Sequence, residues 1–100
     1  MTAKTLQLTD FKPFDVAELL DDEDTMQAYL NEFLTDGTEE EFIQALNDVA
    51  RARSMTAIAK DTGIGRTTLY KSLQTNKIQF TTLNKVLHSL GLQLQVTRAV

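Results

Sequence analysis

The side chains best suited to chemistry in this chain are cationic and hydroxyl-bearing residues between positions 60 and 77. Arg66 can donate two parallel hydrogen bonds to one pair of acceptors, and Thr67 and Tyr70 can each donate and accept. Three lysines surround them as point charges: Lys60, Lys71 and Lys77. This combination of residue types is typical of a surface that binds an anion.

Groups for acid–base or nucleophilic catalysis are scarce. The chain has no cysteine and a single histidine, His88, on the polar side of its helix, so nucleophile–base pairs and His-rich metal sites have no candidates. The acidic run 21–24 lacks the glycine and terminal glutamate of a calcium loop and is interpreted as a solvated helix start. We therefore predict a protein that is not an enzyme and that uses no cofactor or metal.

The spacing of small and apolar residues around the cations predicts two short helices that cross closely. Ala59 is small enough for a crossing point, Gly63 follows four residues later as a turn, and Ile64 fills the corner. Leu69 then anchors the second helix to the core, as Ile58 anchors the first. One Ala-x-x-x-Gly match would indicate only an ordinary helix pair. Agreement at all five positions favours a helix-turn-helix.

In a helix-turn-helix, the second helix lies in the major groove of DNA, and its N-terminal residues contact base edges. The predicted helix 66–74 turns its polar residues away from its leucine face, so Arg66 is expected to contact guanine and Thr67 and Tyr70 to contact bases or phosphates. The remaining candidate DNA contacts are Lys60, Gly65, Lys71 and Lys77, with Thr81 and Thr82 as possible phosphate ligands at a helix start.

Charge is divided unevenly along the chain. Residues 1–50 carry 13 Asp and Glu against two Lys, whereas residues 51–100 carry eight Lys and Arg against one acid, Asp61. Such asymmetry indicates a polyanionic partner for the second half and a basic partner for the first. Two solvated faces of opposite sign would explain the same pattern without any partner.

Apolar periodicity predicts an all-α domain of about five to six helices. A short helix is expected from Asp15, an amphipathic helix over 22–36 ended by a left-handed Gly37, and a third helix with a capping box at Thr38 and Glu41. Shorter helices follow: one capped by Thr56 and ending near 62, one over 66–74, and a last one capped by Thr81 or Thr82 and ended by Gly91.

Two segments alternate polar and apolar residues and predict short terminal β-strands: 5–9 and 92–96. A lone strand leaves backbone groups unpaired, so these strands should pair with each other or across a dimer. The single domain of 100 residues divides into an N-terminal arm (1–12), an acidic helical half (13–53), DNA-binding helices (54–91) and a C-terminal strand and tail (92–100).

Location is predicted from composition. The chain lacks an apolar run long enough for a bilayer, its first residues do not have the order of a signal peptide, and it has no cysteine. These features predict a cytoplasmic protein with no membrane partner.

Several segments together resemble a known family, the Xre/HigA-type antidote proteins of bacterial addiction modules. The similarity covers about residues 11–96 and is carried by the following segments: 14–20, 28–30, 48–53, 55–59, 69–73 and 86–92. The resemblance implies a lambda-repressor-like fold, a homodimer, and a role as the antitoxin of a type II toxin–antitoxin module. Such a protein neutralises a RelE/HigB-like toxin by direct binding and represses its own promoter.

Two features depart from the family pattern. Gly65 replaces the serine that commonly caps the recognition helix, which weakens the start of that helix by at most a few tenths of a kcal/mol. The loop 75–78 is shorter than usual, so its contacts with the DNA backbone are expected to differ.

Three interpretations remain open at this point. The chain is an antitoxin that binds both DNA and a toxin, a stand-alone Xre/Cro-type transcriptional regulator such as a phage-type repressor, or a protein-interaction module whose helix-turn-helix no longer contacts DNA. The acidic residues 21–24 and 39–41 are the proposed toxin-docking surface.

Overall fold

The computed structural model of the chain describes residues 22–75 and 77–99, and this part is all-helical, as the periodicity predicts. Its five helices are α1 (Glu23–Asp36), α2 (Glu39–Arg53), α3 (Met55–Thr62), α4 (Arg66–Gln74) and α5 (Phe80–Ser89). The predicted N-terminal arm, the strand at 5–9 and the helix from Asp15 lie outside the described residues.

The acidic beginning of α1 is a helix cap. The Asp22 carboxylate accepts hydrogen bonds from the hydroxyl of Thr25 at 2.7 Å and the backbone N–H of Asp24 at 3.0 Å. These bonds, that of Thr25 first, lower the pKa of Asp22 below its ordinary value of 3.8, because they favour the charged form. The start of α1 thus explains one acid of the 21–24 run by local structure alone.

Gly37 ends α1 as predicted, but the predicted left-handed conformation is wrong. Its backbone is extended, with φ −98° and ψ 176°. Glycine is required there for a different reason: a Cβ atom would lie 2.8 Å from the carbonyl oxygen of Phe33. The adjoining start of α2 is the predicted capping box, in which the Glu41 amide donates to the Thr38 hydroxyl at 3.1 Å and the Thr38 amide donates to the Glu41 carboxylate at 2.8 Å.

The junction between α2 and α3 is tighter than the sequence suggests. The predicted cap at Thr56 is wrong, because α3 begins at Met55 and Ser54 occupies the cap position. The Ser54 hydroxyl accepts from the Ala57 amide at 3.1 Å, while its backbone holds φ 146°, a conformation that L-residues rarely adopt. One strained serine therefore ends α2 and starts α3 without any intervening loop.

Every helix contributes to a single core, and α2 lies at its centre. It packs against α1, α3 and α4, while α3 also contacts α4 and α5. The largest fully buried side chains are Met26, Leu46, Val49, Ile58, Leu69, Leu73, Val86 and Leu90. One polar side chain, Asn47 of α2, is also buried, and its Oδ1 has no hydrogen-bond partner within the described residues.

The turn between α3 and α4 fixes the direction of both helices. Gly63 adopts the left-handed conformation (φ 74°, ψ 9°), and its N–H donates to the Ala59 carbonyl at 3.0 Å. The Thr62 hydroxyl donates to the Ile58 carbonyl at 2.7 Å and accepts from the Ile64 amide at 3.2 Å. The chain then resumes helical structure at Arg66, so the predicted turn at 63–65 is confirmed.

The last helix begins earlier than predicted. Gln79 precedes its first residue, Phe80, so the expected caps Thr81 and Thr82 lie inside its first turn. The end at Gly91 is confirmed by its positive φ of 81°. The predicted strand at 92–96 is not formed within the described part of this chain, because no second strand lies beside it to accept its hydrogen bonds.

The two glycines of the turn provide a matched stability test. Neither has a neighbouring atom within 4 Å of where a Cβ would lie, so only backbone conformation separates them. Gly63→Ser should destabilise the fold by about 1 kcal/mol, because serine disfavours positive φ. Gly65→Ser should stabilise it by about 0.5–1 kcal/mol, since it adds a cap to α4 and restricts the unfolded chain.

Urea denaturation of both variants and the native chain measures these differences. Equal effects of the two substitutions would contradict the assigned left-handed turn.

Candidate functional site

The candidate site is the outer surface of the turn and of α4, and the inner faces of α3 and α4 pack on the core. Leu69 and Leu73 are fully buried on the inner face of α4, and Ile58 is buried on α3. Ala59 and Ile64 are partly buried and pack against the same core. Four of the five positions that predicted the helix pair therefore lie in or against the core (Ile58, Ala59, Ile64 and Leu69), and the fifth, Gly63, forms the turn.

The polar residues of α4 lie on the opposite side. Arg66, Thr67 and Lys71 are exposed, as is Gly65 before them, and Tyr70 is half-buried. Lys60 is exposed in the last turn of α3. The structure thus brings five of the predicted site residues onto one short element, with Lys60 across the turn from them.

Lys77 stands apart from this group. It is exposed beyond the end of α4, and it lines a cavity of about 510 Å³ together with Leu34 of α1 and Glu39 of α2. The Thr75 hydroxyl lies 3.2 Å from the Ser72 carbonyl and 2.5 Å from the Lys77 carbonyl, which fixes the loop against the end of α4. No described contact joins Lys77 to Arg66 or Tyr70, so its grouping with them stays a prediction.

Arg66 and Tyr70 form a pair along the surface of α4. The Nη2 atom of Arg66 donates to the Tyr70 hydroxyl at 3.4 Å, and its Cζ lies 5.8 Å from the centre of the Tyr70 ring. Residues four positions apart are neighbours on the surface of a helix. The quadrupole of an aromatic ring attracts the positive charge of an arginine that lies over the ring. The pair restricts the Arg66 side chain while leaving it at the surface, so less side-chain entropy is lost when it binds a ligand.

The beginning of α4 is open to an anion. Gly65 provides no side-chain cap, and the first helical bond runs from the Leu69 amide to the Gly65 carbonyl at 2.9 Å. The amides of Arg66, Thr67 and Thr68 therefore have no acceptor among the described residues. Free amides at the positive end of a helix dipole bind phosphate oxygens well.

The positive charges of this surface are not neutralised by carboxylates among the described residues. Among the described residues, no carboxylate forms a salt bridge with Lys60, Arg66 or Lys71. Asp61 is the one acid of the second half, and it accepts a hydrogen bond of 3.3 Å from the Ser89 hydroxyl of α5. The site can therefore hold negative charge from a ligand by Coulomb attraction and by directed hydrogen bonds.

Exposed acids of the first half lie in the first turns of α1 and α2. Glu23 and Asp24 are exposed in the first turn of α1, and Glu39 and Glu40 are exposed in the first turn of α2. Both sites favour acids, because carboxylates stabilise the positive end of a helix. These exposed acids therefore belong to helices other than α4, which carries Arg66.

Sequence reasoning missed three residues that shape this region. Thr62 locks the turn with its hydroxyl, Ser54 starts α3 from a strained backbone, and Phe80 is an apolar side chain left 65 % exposed at the start of α5. A threonine just before a glycine turn is a usable signal for the first of these. The other two depend on tertiary packing.

None of the helices in residues 22–75 and 77–99 combines the length and the apolar content that crossing a membrane requires.

Comparison with known proteins places the chain in a family. The family described as "Probable addiction module antidote protein" matches residues 10–98. A protein of Haemophilus influenzae, described as an uncharacterized protein, is 48 % identical over 89 residues, which cover 88 % of this chain and 92 % of the relative. No solved structure matches. The chain therefore belongs to the family of probable addiction module antidote proteins, and the match covers most of the chain's length.

Proposed function

We propose that this chain is the DNA-binding antitoxin of a bacterial type II toxin–antitoxin module. In this proposal α3, the turn at 63–65 and α4 act as a lambda-repressor-like helix-turn-helix that binds operator DNA as a homodimer. The protein represses its own promoter and neutralises a RelE/HigB-like toxin. It acts in the cytoplasm and catalyses no reaction.

One observation carries the DNA-binding part of this proposal. Arg66 is exposed at the first position of a helix whose opposite face is buried through Leu69 and Leu73. A rigid helix that presents arginine and free amides at its N-terminus suits the major groove, where arginine pairs with guanine in bidentate fashion. Lys60 and Lys71 lie on either side of the turn, where phosphates of the groove wall would be contacted.

The antitoxin part of the proposal is supported by family membership and by the charge division. An antidote protein requires a toxin to bind, and ribonuclease toxins tend to be basic. The exposed acids at the starts of α1 and α2 would attract such a protein and speed its association.

A stand-alone regulator of the Xre/Cro type would use the same helices. The two functions differ in what lies next to the gene. A neighbouring reading frame for a small basic protein, toxic alone and harmless when co-expressed with this chain, supports the antitoxin. Absence of any protection by co-expression would leave the regulator as the better assignment.

Substitutions on α4 test the DNA interface. Arg66→Ala should weaken binding to the promoter by about 1–3 kcal/mol and relax preference at one base pair, because a bidentate base contact is lost. Lys71→Ala should weaken binding to all sequences and reduce the salt slope by about one unit, because a phosphate contact is lost.

Fluorescence anisotropy over a salt series, with operator and scrambled duplexes, measures both effects. Arg66→Lys is the matched control, since it keeps the charge without the planar fork and should lose base preference as Arg66→Ala does. Unchanged affinity in Arg66→Ala and Lys71→Ala would favour a module that does not bind DNA through α4.

Charge neutralisation tests the toxin surface. Glu39→Gln/Glu40→Gln removes two exposed charges from α2, and Glu23→Gln/Asp24→Asn removes two from α1. Asp22 and Glu41 stay unchanged because they cap the helices. The pair that lies in the docking surface should slow association with the toxin by about tenfold at low salt, with little effect on dissociation.

Stopped-flow association rates at two salt concentrations provide the measurement, and each double variant is the control for the other. If toxin binds both variants as fast as the native chain, docking does not depend on these acids.

A further inference from the structure

Tyr70 connects the hydrophobic core to the outer surface of α4. It is half-buried and packs against the core, in which Leu69 and Leu73 of the same helix are fully buried. Its hydroxyl, at the far end of the side chain, accepts the hydrogen bond from Arg66. A tyrosine combines an apolar body with a polar tip. The core therefore sets the position of the Tyr70 ring, while its hydroxyl stays within reach of surface groups.

Arg66 lacks such an attachment to the core. It is exposed at the first position of α4, and Tyr70 is the side chain to which it donates among the described residues. An exposed arginine has many accessible rotamers, because its long side chain contains several rotatable bonds. The contacts with Tyr70 are therefore what favours one orientation of the Arg66 guanidinium over the others.

Two contacts of different kinds join the pair. The Cζ atom of Arg66 lies 5.8 Å from the centre of the Tyr70 ring, within the range of a cation–π interaction. The hydrogen bond from Nη2 to the hydroxyl is 3.4 Å long, so it is weak but still directs one edge of the guanidinium. This bond uses one N–H donor of the group and leaves the others for a ligand. Arg66 can therefore stay on Tyr70 while it binds a base.

The place of Tyr70 along α4 disfavours a direct contact with bases. Four residues separate it from Arg66, which puts it about 6 Å further from the N-terminus along the helix axis. In a helix-turn-helix, the N-terminal residues of the second helix are those that contact base edges. The Tyr70 hydroxyl also already accepts a hydrogen bond from Arg66. Support of Arg66 fits this position better than contact with a base.

We propose that Tyr70 is a positioning residue for Arg66. Its ring and hydroxyl hold the guanidinium in the orientation that meets one base pair, so Tyr70 contributes to sequence preference without contacting DNA. This inference rests on the proposed function, in which Arg66 contacts guanine. It replaces the separate base or phosphate contact that the sequence indicates for Tyr70.

Two substitutions separate the ring from the hydroxyl. Tyr70→Phe keeps the ring and its packing, whereas Tyr70→Leu removes both contacts with Arg66 but leaves an apolar side chain against the core. In Tyr70→Leu, the preference for operator over scrambled duplex should fall roughly twofold to tenfold, the range for one side chain that is no longer immobilised. The fall should be smaller in Tyr70→Phe. The salt slope should stay unchanged in both variants, because no phosphate contact is lost.

The same substitution in an Arg66→Ala chain is the control for a structural effect. Positioning requires a guanidinium, so Tyr70→Leu should not change the remaining preference of the Arg66→Ala chain. Altered packing of α4, or a direct contact of Tyr70 with DNA, would instead persist in that background. Equal losses of preference in the two backgrounds would overturn the proposal.

A measurement without DNA reads the order of the Arg66 side chain directly. The NMR order parameter of the Arg66 Nε–H group should be highest in the native chain, lower in Tyr70→Phe and lowest in Tyr70→Leu. Arg51, exposed on α2, is the internal reference, and its order parameter should be the same in all three chains. An Arg66 that is equally ordered in the native chain and in Tyr70→Leu would overturn the proposal.

The binding experiment separates this proposal from the proposed function. A native chain that binds operator and scrambled duplexes equally would overturn the proposed function. A native chain that prefers the operator, together with a Tyr70→Leu variant that prefers it as strongly, would overturn the positioning role alone.

Discussion

The left-handed backbone of Gly63 is the constraint on which the candidate site depends. Helices α3 and α4 have eight and nine residues and would not persist in isolation. They are held because Gly63 redirects the chain sharply enough for Ile58 and Leu69 to enter the same core. Once both helices are fixed on their inner faces, the outer face of α4 is free to present Arg66, Thr67 and Lys71 to a ligand.

Helix α2 connects the two chemically different parts of the chain. Its first turn carries three glutamates and its last turn carries two arginines, while its middle packs against α1, α3 and α4. The helix thus stabilises both of its own ends through its dipole and supports an acidic and a basic half on one core. Under the proposed function, the acidic half would bind a basic toxin and the basic half would bind an operator, which would account for the division of charge.

The positions of all five helices could be predicted, because apolar residues at spacings of three and four mark the buried face of each. Details that depend on tertiary contacts could not be. Ser54, rather than Thr56, caps α3, because Ser54 directly follows the last residue of α2, Arg53. Glycine is needed at position 37 because a Cβ atom would lie too close to the Phe33 carbonyl oxygen, and a positive φ is not the reason. The helical period predicts that Arg66 points outward. It does not predict the hydrogen bond from Arg66 to Tyr70, because the sequence indicates a separate DNA contact for each of the two residues. The alternation at 92–96 predicts a strand, yet a strand exists only where a partner supplies hydrogen bonds.

We propose that α4, positioned by the glycine turn, binds a specific duplex sequence. This binding is tested most directly by the ratio of two dissociation constants at about 150 mM salt, one for the DNA upstream of the gene and one for a scrambled duplex of equal length. Sequence-specific regulators bind their sites roughly 10³-fold or more tighter than other DNA, and a ratio of at least that order is expected for this protein. A ratio near one would contradict the proposal.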